Sequence, residues 1–149
     1  MKKSKIIEKL KQDVAGQCAC QKLRKATRII TRRYDEALKP IGIKGNQFTM
    51  LSVISLVDAV TLTELADKMG MERTTLIRNL KPLERDGLIS ISSEGFRRAR
   101  SAEITDKGLN VLEEALPIWH QAQDSLRIEL GANTWKIVHD GLEALGAVG

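Results

Sequence analysis

Residues 61–88, TLTELADKMGMERTTLIRNLKPLERDGL, restrict the fold of this chain more than any other stretch. Thr61 followed three residues later by Glu64 is a capping box. The hydroxyl can accept the Glu64 amide while that carboxylate reaches back to the Thr61 amide. A short helix is expected to start there, with Leu62, Leu65, Ala66 and Met69 as its inner face and Gly70 as its left-handed stop. After a tight turn the spacing predicts a second helix from about Glu72 or Arg73 to Asp86, stopped by Gly87. Two helices joined by three or four residues with glycine at the bend form a helix-turn-helix, the arrangement that presents its second helix to the DNA major groove.

That second helix has two chemically distinct faces. Leu76, Leu80 and Leu83 fall at i, i+4 and i+7 and face the core. Thr74, Arg78 and Arg85 lie roughly half a turn away, with Arg73 and Thr75 crowding the N-terminal end. Together with Lys81 they form the candidate recognition set. Arginine can give two hydrogen bonds to guanine O6 and N7, and threonine can meet a thymine methyl or a phosphate. The amides of the first turn favour phosphate as well. Glu72 beside them is either a partner of the helix dipole or an acceptor for a cytosine amine. Ile77 alone leans toward a helix that docks on protein. Pro82 costs about 3 kcal/mol in a helix interior. The leucine spacing nevertheless runs through it, so one bent helix is expected.

Beyond Gly87 the period changes to two. Leu88, Ile89, Ser90, Ile91 and Ser92 read as a strand, residues 99–104 as its return, and Ser93, Glu94 and Gly95 as the turn between. A hairpin in this position is a wing. It carries Arg97, Arg98 and Arg100, which suit the negative potential of a narrow minor groove; a solvated hairpin is the plain alternative. On the N-terminal side, residues 20–38 carry the helical stripe Leu23, Thr27, Ile30, Tyr34 and Leu38, ended by Pro40 and Gly42, and residues 45–57 read as a buried helix. On the C-terminal side Thr105 caps a long helix through Leu109, Leu112, Leu116, Trp119, Leu126 and Leu130, bent at Pro117 and stopped by Gly131. Trp135, Val138, Leu142 and Leu145 outline the last helix.

Size and charge agree with a single domain. A chain of 149 residues buries enough surface to fold without a disulfide or structural metal. It contains no run near the roughly 18 apolar residues that a bilayer requires, so no membrane partner is expected. The start, MKKSKIIEKLKQ, lacks the apolar run of a secretion signal, which makes the cytoplasm the expected compartment. The net charge of +5 is unevenly placed. Residues 1–40 hold twelve basic and four acidic side chains, residues 72–100 seven and four, and residues 101–149 three and eight. A basic front and an acidic tail suit a polyanion on one side only.

The order of these elements, with the block LADKMGMERTTLIRNLKPLERDGLI, the wing segment FRRARSAEITDKG and the run ALKPIGIKGNQFTML, resembles the MarR family of bacterial transcription regulators over residues 18–146. The resemblance implies a mainly α fold with a small β-hairpin wing, a winged helix-turn-helix embedded in a helical homodimer. It divides the chain into a basic N-terminal arm (1–17), an N-terminal dimerisation helix (18–44), a DNA-binding region (45–104) and C-terminal dimerisation helices (105–149). It assigns residues 73–85 to the major groove and residues 97–100 to the minor groove. It also implies release from a pseudo-palindromic operator, as a repressor, by a small aromatic or phenolic effector or by oxidation. Family wings usually read Asp-x-Arg, and here Phe96 replaces the Asp, so Arg98 loses its acidic orienting partner.

Two further signals are weaker. On a helix Cys18 and Cys20 would project about 200° apart, too far for one site or an unstrained local disulfide. A buried small hydrophobe is the plain reading of each. The resemblance instead places Cys20 where the hydroperoxide-sensing branch of the family holds its thiol, with Tyr34 as one of that thiol's tyrosine partners and Arg24 at the other position. His120 and His139 follow no metal-ligand spacing. No phosphate loop or nucleophile elbow is present, so neither enzymatic activity nor a cofactor is expected. A winged-helix module that binds protein is the alternative outside DNA binding.

Overall fold

A computed structural model describes residues 2–92 and 99–148. The elements run α1 (Lys2–Asp13), α2 (Ala19–Leu38), a 3₁₀ turn (Lys39–Ile41), α3 (Gly45–Ser55), β1 (Val60–Thr61), α4 (Leu62–Met69), α5 (Arg73–Arg85), β2 (Ile89–Ile91), β3 (Ser101–Ile104), α6 (Asp106–Leu130) and α7 (Ala132–Gly146). The chain forms two compact units, Met1–Arg33 and Tyr34–Gly149.

In the first unit, residues 2–13 are helical where the sequence suggested only a basic arm. Lysines at five of the first eleven positions obscure the apolar set Ile6, Ile7 and Leu10, which recurs at helical spacing and lies exposed. The second unit holds the core. Leu38, Ile43, Phe48, Met50, Leu51, Ile54, Val60, Leu62, Leu65, Leu76, Leu80 and Leu83 are buried together with Leu88, Ile89, Ala102 and Ala115. The start of α3 approaches α2 closely: a Cβ on Gly45 would lie 3.1 Å from that of Tyr34, a tight contact that glycine avoids. The Gly45 amide donates to Asp35 Oδ1 at 2.8 Å, and Gln47 Oε1 accepts the Lys44 amide at 2.9 Å.

The Thr61 capping box forms as expected. The Glu64 amide donates to Thr61 Oγ1 at 3.1 Å and the Thr61 amide to Glu64 Oε2 at 3.0 Å. The same contacts, chiefly the Thr61 hydroxyl donating to the carboxylate at 2.7 Å, hold the Glu64 carboxyl below its ordinary range. Gly70 takes φ 59° at the end of α4, and Met71 returns its amide to the Ala66 carbonyl at 2.9 Å. Three residues therefore separate α4 from α5. Helix α5 continues through Pro82, as the leucine spacing implied, and the Asp86 amide closes on the Pro82 carbonyl at 3.0 Å.

The sheet contains a strand that periodicity does not reveal. Its order is β1-β3-β2, antiparallel throughout, with Val60 opposite Ala102 and Ile89 opposite Ile104. A two-residue strand is too short to show alternation, and β1 is recognisable only once β3 pairs with it. Thr105 caps α6 by accepting the Gly108 amide at 3.1 Å, while its own hydroxyl donates to the Gly87 carbonyl at 2.7 Å.

Candidate nucleic-acid interface

The burial pattern of α5 follows from its sequence. Leu76, Leu80 and Leu83 are fully buried, each contributing about 1.5–3 kcal/mol relative to exposure. The opposite side carries Thr74, Arg78, Lys81 and Arg85, all exposed, at i, i+4, i+7 and i+11. Arg73 is exposed beside them in the first turn, and Thr75 is half-buried. The structure thus brings Thr74, Arg78, Lys81 and Arg85 onto one outward stripe, with Arg73 and Thr75 flanking its N-terminal end. Ile77 proves to be half-buried and packed against the core. It is therefore not an outward anchor for a protein partner.

Position along the stripe determines what each side chain can reach. Thr74 and Arg78 occupy the N-terminal half, which in helix-turn-helix proteins meets base edges. Arg85 ends the helix and is engaged locally. Its Nε lies 2.9 Å from Asp86 Oδ1, and a terminal guanidinium nitrogen lies 3.3 Å from Oδ2. Arg85 thereby holds the Asp86 carboxyl below its ordinary range, with the Lys107 charge adding to the effect. Sequence reasoning named Arg85 and overlooked Asp86, although two opposite charges side by side at a helix end signal such a pair.

The end of α5 is tied to the start of α6. Lys107 Nζ donates to the Asp86 carbonyl at 2.8 Å, and the Thr105 amide donates to the Leu88 carbonyl at 3.1 Å. A Cβ on Gly108 would stand 2.1 Å from the Leu88 carbonyl oxygen, so only glycine fits beneath that carbonyl. These contacts join the end of α5 and the entry to β2 to the start of α6. Of the wing residues, Arg97 and Arg98 lie outside the described residues. Arg100 is half-buried and its carbonyl accepts the Leu62 amide at 2.9 Å, joining the base of the wing to α4.

The remaining candidates are dispersed. Cys18 stands at the N-cap of α2, its carbonyl accepting the Lys22 amide at 3.2 Å. Cys20 is exposed in the first turn of α2 in the single chain. The Tyr34 hydroxyl donates to Gln123 Oε1, and the Trp119 ring stacks between Tyr34 and Phe48 at 6.5 and 5.8 Å. His120 meets the edge of Trp119, and the His139 ring packs on Trp135 at 4.2 Å. Among the described residues no cluster of three or more His, Cys, Asp or Glu side chains can hold a metal, and no helix is long and apolar enough to cross a membrane.

Comparison with known proteins agrees with this geometry. Residues 41–99 match the model of the MarR family. The Mycobacterium tuberculosis transcriptional regulator MosR, solved in complex with DNA, is 39% identical, covers 89% of this chain and 96% of its own, and superposes with a TM-score of 0.80. The chain belongs to the MarR family. CouR from Rhodococcus jostii RHA1, solved with p-coumaroyl-CoA, shares the fold at 16% identity, 90% and 95% coverage and a TM-score of 0.74. The uncharacterised HTH-type transcriptional regulator YwoH of Bacillus subtilis (strain 168) is 23% identical over 92 residues, 62% of this chain and 67% of its own. This chain is accordingly a MarR-family transcriptional regulator, and its winged helix is the DNA-binding module.

Proposed function

We propose that the protein is a homodimeric repressor that reads a pseudo-palindromic operator through the outward stripe of α5 in each protomer. The observation that carries this reading is the exposure of Thr74, Arg78, Lys81 and Arg85 along one line, opposite three fully buried leucines. Arg73, Thr75 and the wing arginines Arg97, Arg98 and Arg100 complete the interface. Two-fold symmetry requires half-sites about 10 bp apart, one turn of duplex. Helix α7 supports the dimer. None of its described residues is buried, and Ile137, Val138, Leu142 and Leu145 are 62%, 40%, 49% and 51% exposed. So much apolar surface on one helix calls for a cover, and a second copy supplies it.

A small aromatic or phenolic effector releases the operator in this account. The stacked Tyr34, Phe48 and Trp119 rings, with Gln123 as a polar partner, offer such a ligand matching chemistry where α2, α3 and α6 meet. The exposed Cys20 thiol favours a second route to release. It would take one oxygen from a hydroperoxide, giving a sulfenic acid and the corresponding alcohol. Enrichment of bound fragments from random duplexes, followed by a release screen with phenols and peroxides, tests both routes. Recovery of a symmetric site released by a phenol supports the first. Unchanged peroxide release in Cys20→Ser excludes Cys20 as the sensor.

A further inference from the structure

Within the α5 stripe, Arg85 has its charged group paired with a neighbouring carboxylate. Asp86 accepts from its Nε and from a terminal nitrogen, 2.9 and 3.3 Å away, on the guanidinium edge that also recognises phosphate. A carboxylate at this position runs against a local rule, because the C-terminal end of a helix is already negative. Two cations offset that cost. Arg85 belongs to the DNA-facing stripe, and Lys107 belongs to α6 and is anchored on the Asp86 carbonyl at 2.8 Å. We infer that Asp86 is an internal competitor for the DNA phosphate that Arg85 would contact, and so limits how tightly the recognition helix holds DNA of any sequence.

The inference rests on α5 being the recognition helix. Arg85 sits at the C-terminal end of α5, away from the N-terminal residues that meet base edges, so the phosphate backbone is its nearest target. The pair is exposed, 74% and 47% at the two side chains, and exposed pairs are weak enough for a phosphate to displace. When Arg85 turns to the DNA, Asp86 keeps the Lys107 charge beside it. The exchange therefore leaves no carboxylate isolated at the negative end of the helix. Asp86 acts as a soft brake on sequence-independent affinity.

The test is the affinity of full-length protein for a scrambled duplex between 50 and 200 mM salt, with Asp86→Asn made in the parent and in an Arg85→Ala background. In the parent, Asp86→Asn should tighten binding several-fold at 50 mM salt. It should steepen the salt slope by about one, so that about 3-fold of the gain is lost by 200 mM. In the Arg85→Ala background the gain should vanish. No change in the parent overturns the inference. So does an equal gain in both backgrounds, since removal of a negative charge near DNA would then be the whole effect. Arg78→Ala on the selected operator isolates the underlying reading, because a recognition helix placed elsewhere leaves that binding intact whatever Asp86 does.

Discussion

A side chain at position 108 has nowhere to go. The carbonyl oxygen of Leu88 lies 2.1 Å from where its Cβ would stand, and Ile104 is 2.8 Å away on another side. Gly108→Ala must push the Leu88 backbone away from α6, and overpacking of this kind typically costs about 1–3 kcal/mol. Urea unfolding should show the loss, and parent-like stability would mean that α6 and the Leu88 backbone do not meet this closely. At the wing, Arg98→Ala should weaken binding alike on operator and scrambled DNA and flatten the salt slope by about one, as expected for a phosphate or minor-groove contact. A loss confined to the operator would make Arg98 a base reader. Single residues were unevenly legible. Thr61, Glu64 and the outward arginines follow from spacing alone, whereas the exposure of Cys20 and the half-burial of Ile77 depend on which elements surround them.

The clearest sequence signals belonged to elements that carry their own punctuation. Helix α4 starts at a reciprocal cap and ends at a left-handed glycine, both local features, and α5 is bounded by the same turn and by Gly87. Strand β1 was not readable, since its two residues are strand only through pairing with β3. Helix α1 was missed because its lysines suggested a solvated arm. The cap of α4 gives a stability test with a pH signature. Thr61→Ala removes the acceptor for the Glu64 amide and should cost about 1 kcal/mol in thermal or urea unfolding at neutral pH. Because Glu64 titrates lower in the folded chain than its ordinary value of 4.5, its contribution is fully present above that value. It is lost as the pH falls through the lower folded value. The difference between parent and Thr61→Ala should therefore shrink below pH 4.5, and a constant gap would separate the cap from the carboxylate.

At the scale of the whole molecule, the start of α6 is anchored to the end of α5, and its far end leads to α7. Glu129 and the exposed Ile128 lie near that far end, and the apolar residues of α7 follow. Leu142→Glu should shift the protein from dimer to monomer in sedimentation, and tight operator binding should fall with it. A dimer of unchanged stability would move the interface away from α7. The central claim concerns what the outward stripe of α5 does in the assembled regulator. It is tested most directly by the affinity of the Arg78→Ala protein for the selected operator and for a scrambled duplex at one salt concentration. The account predicts a loss of about 1–3 kcal/mol per base contact on the operator, with specificity relaxed at symmetric positions and binding to scrambled DNA little changed. An equal loss on both duplexes would contradict it.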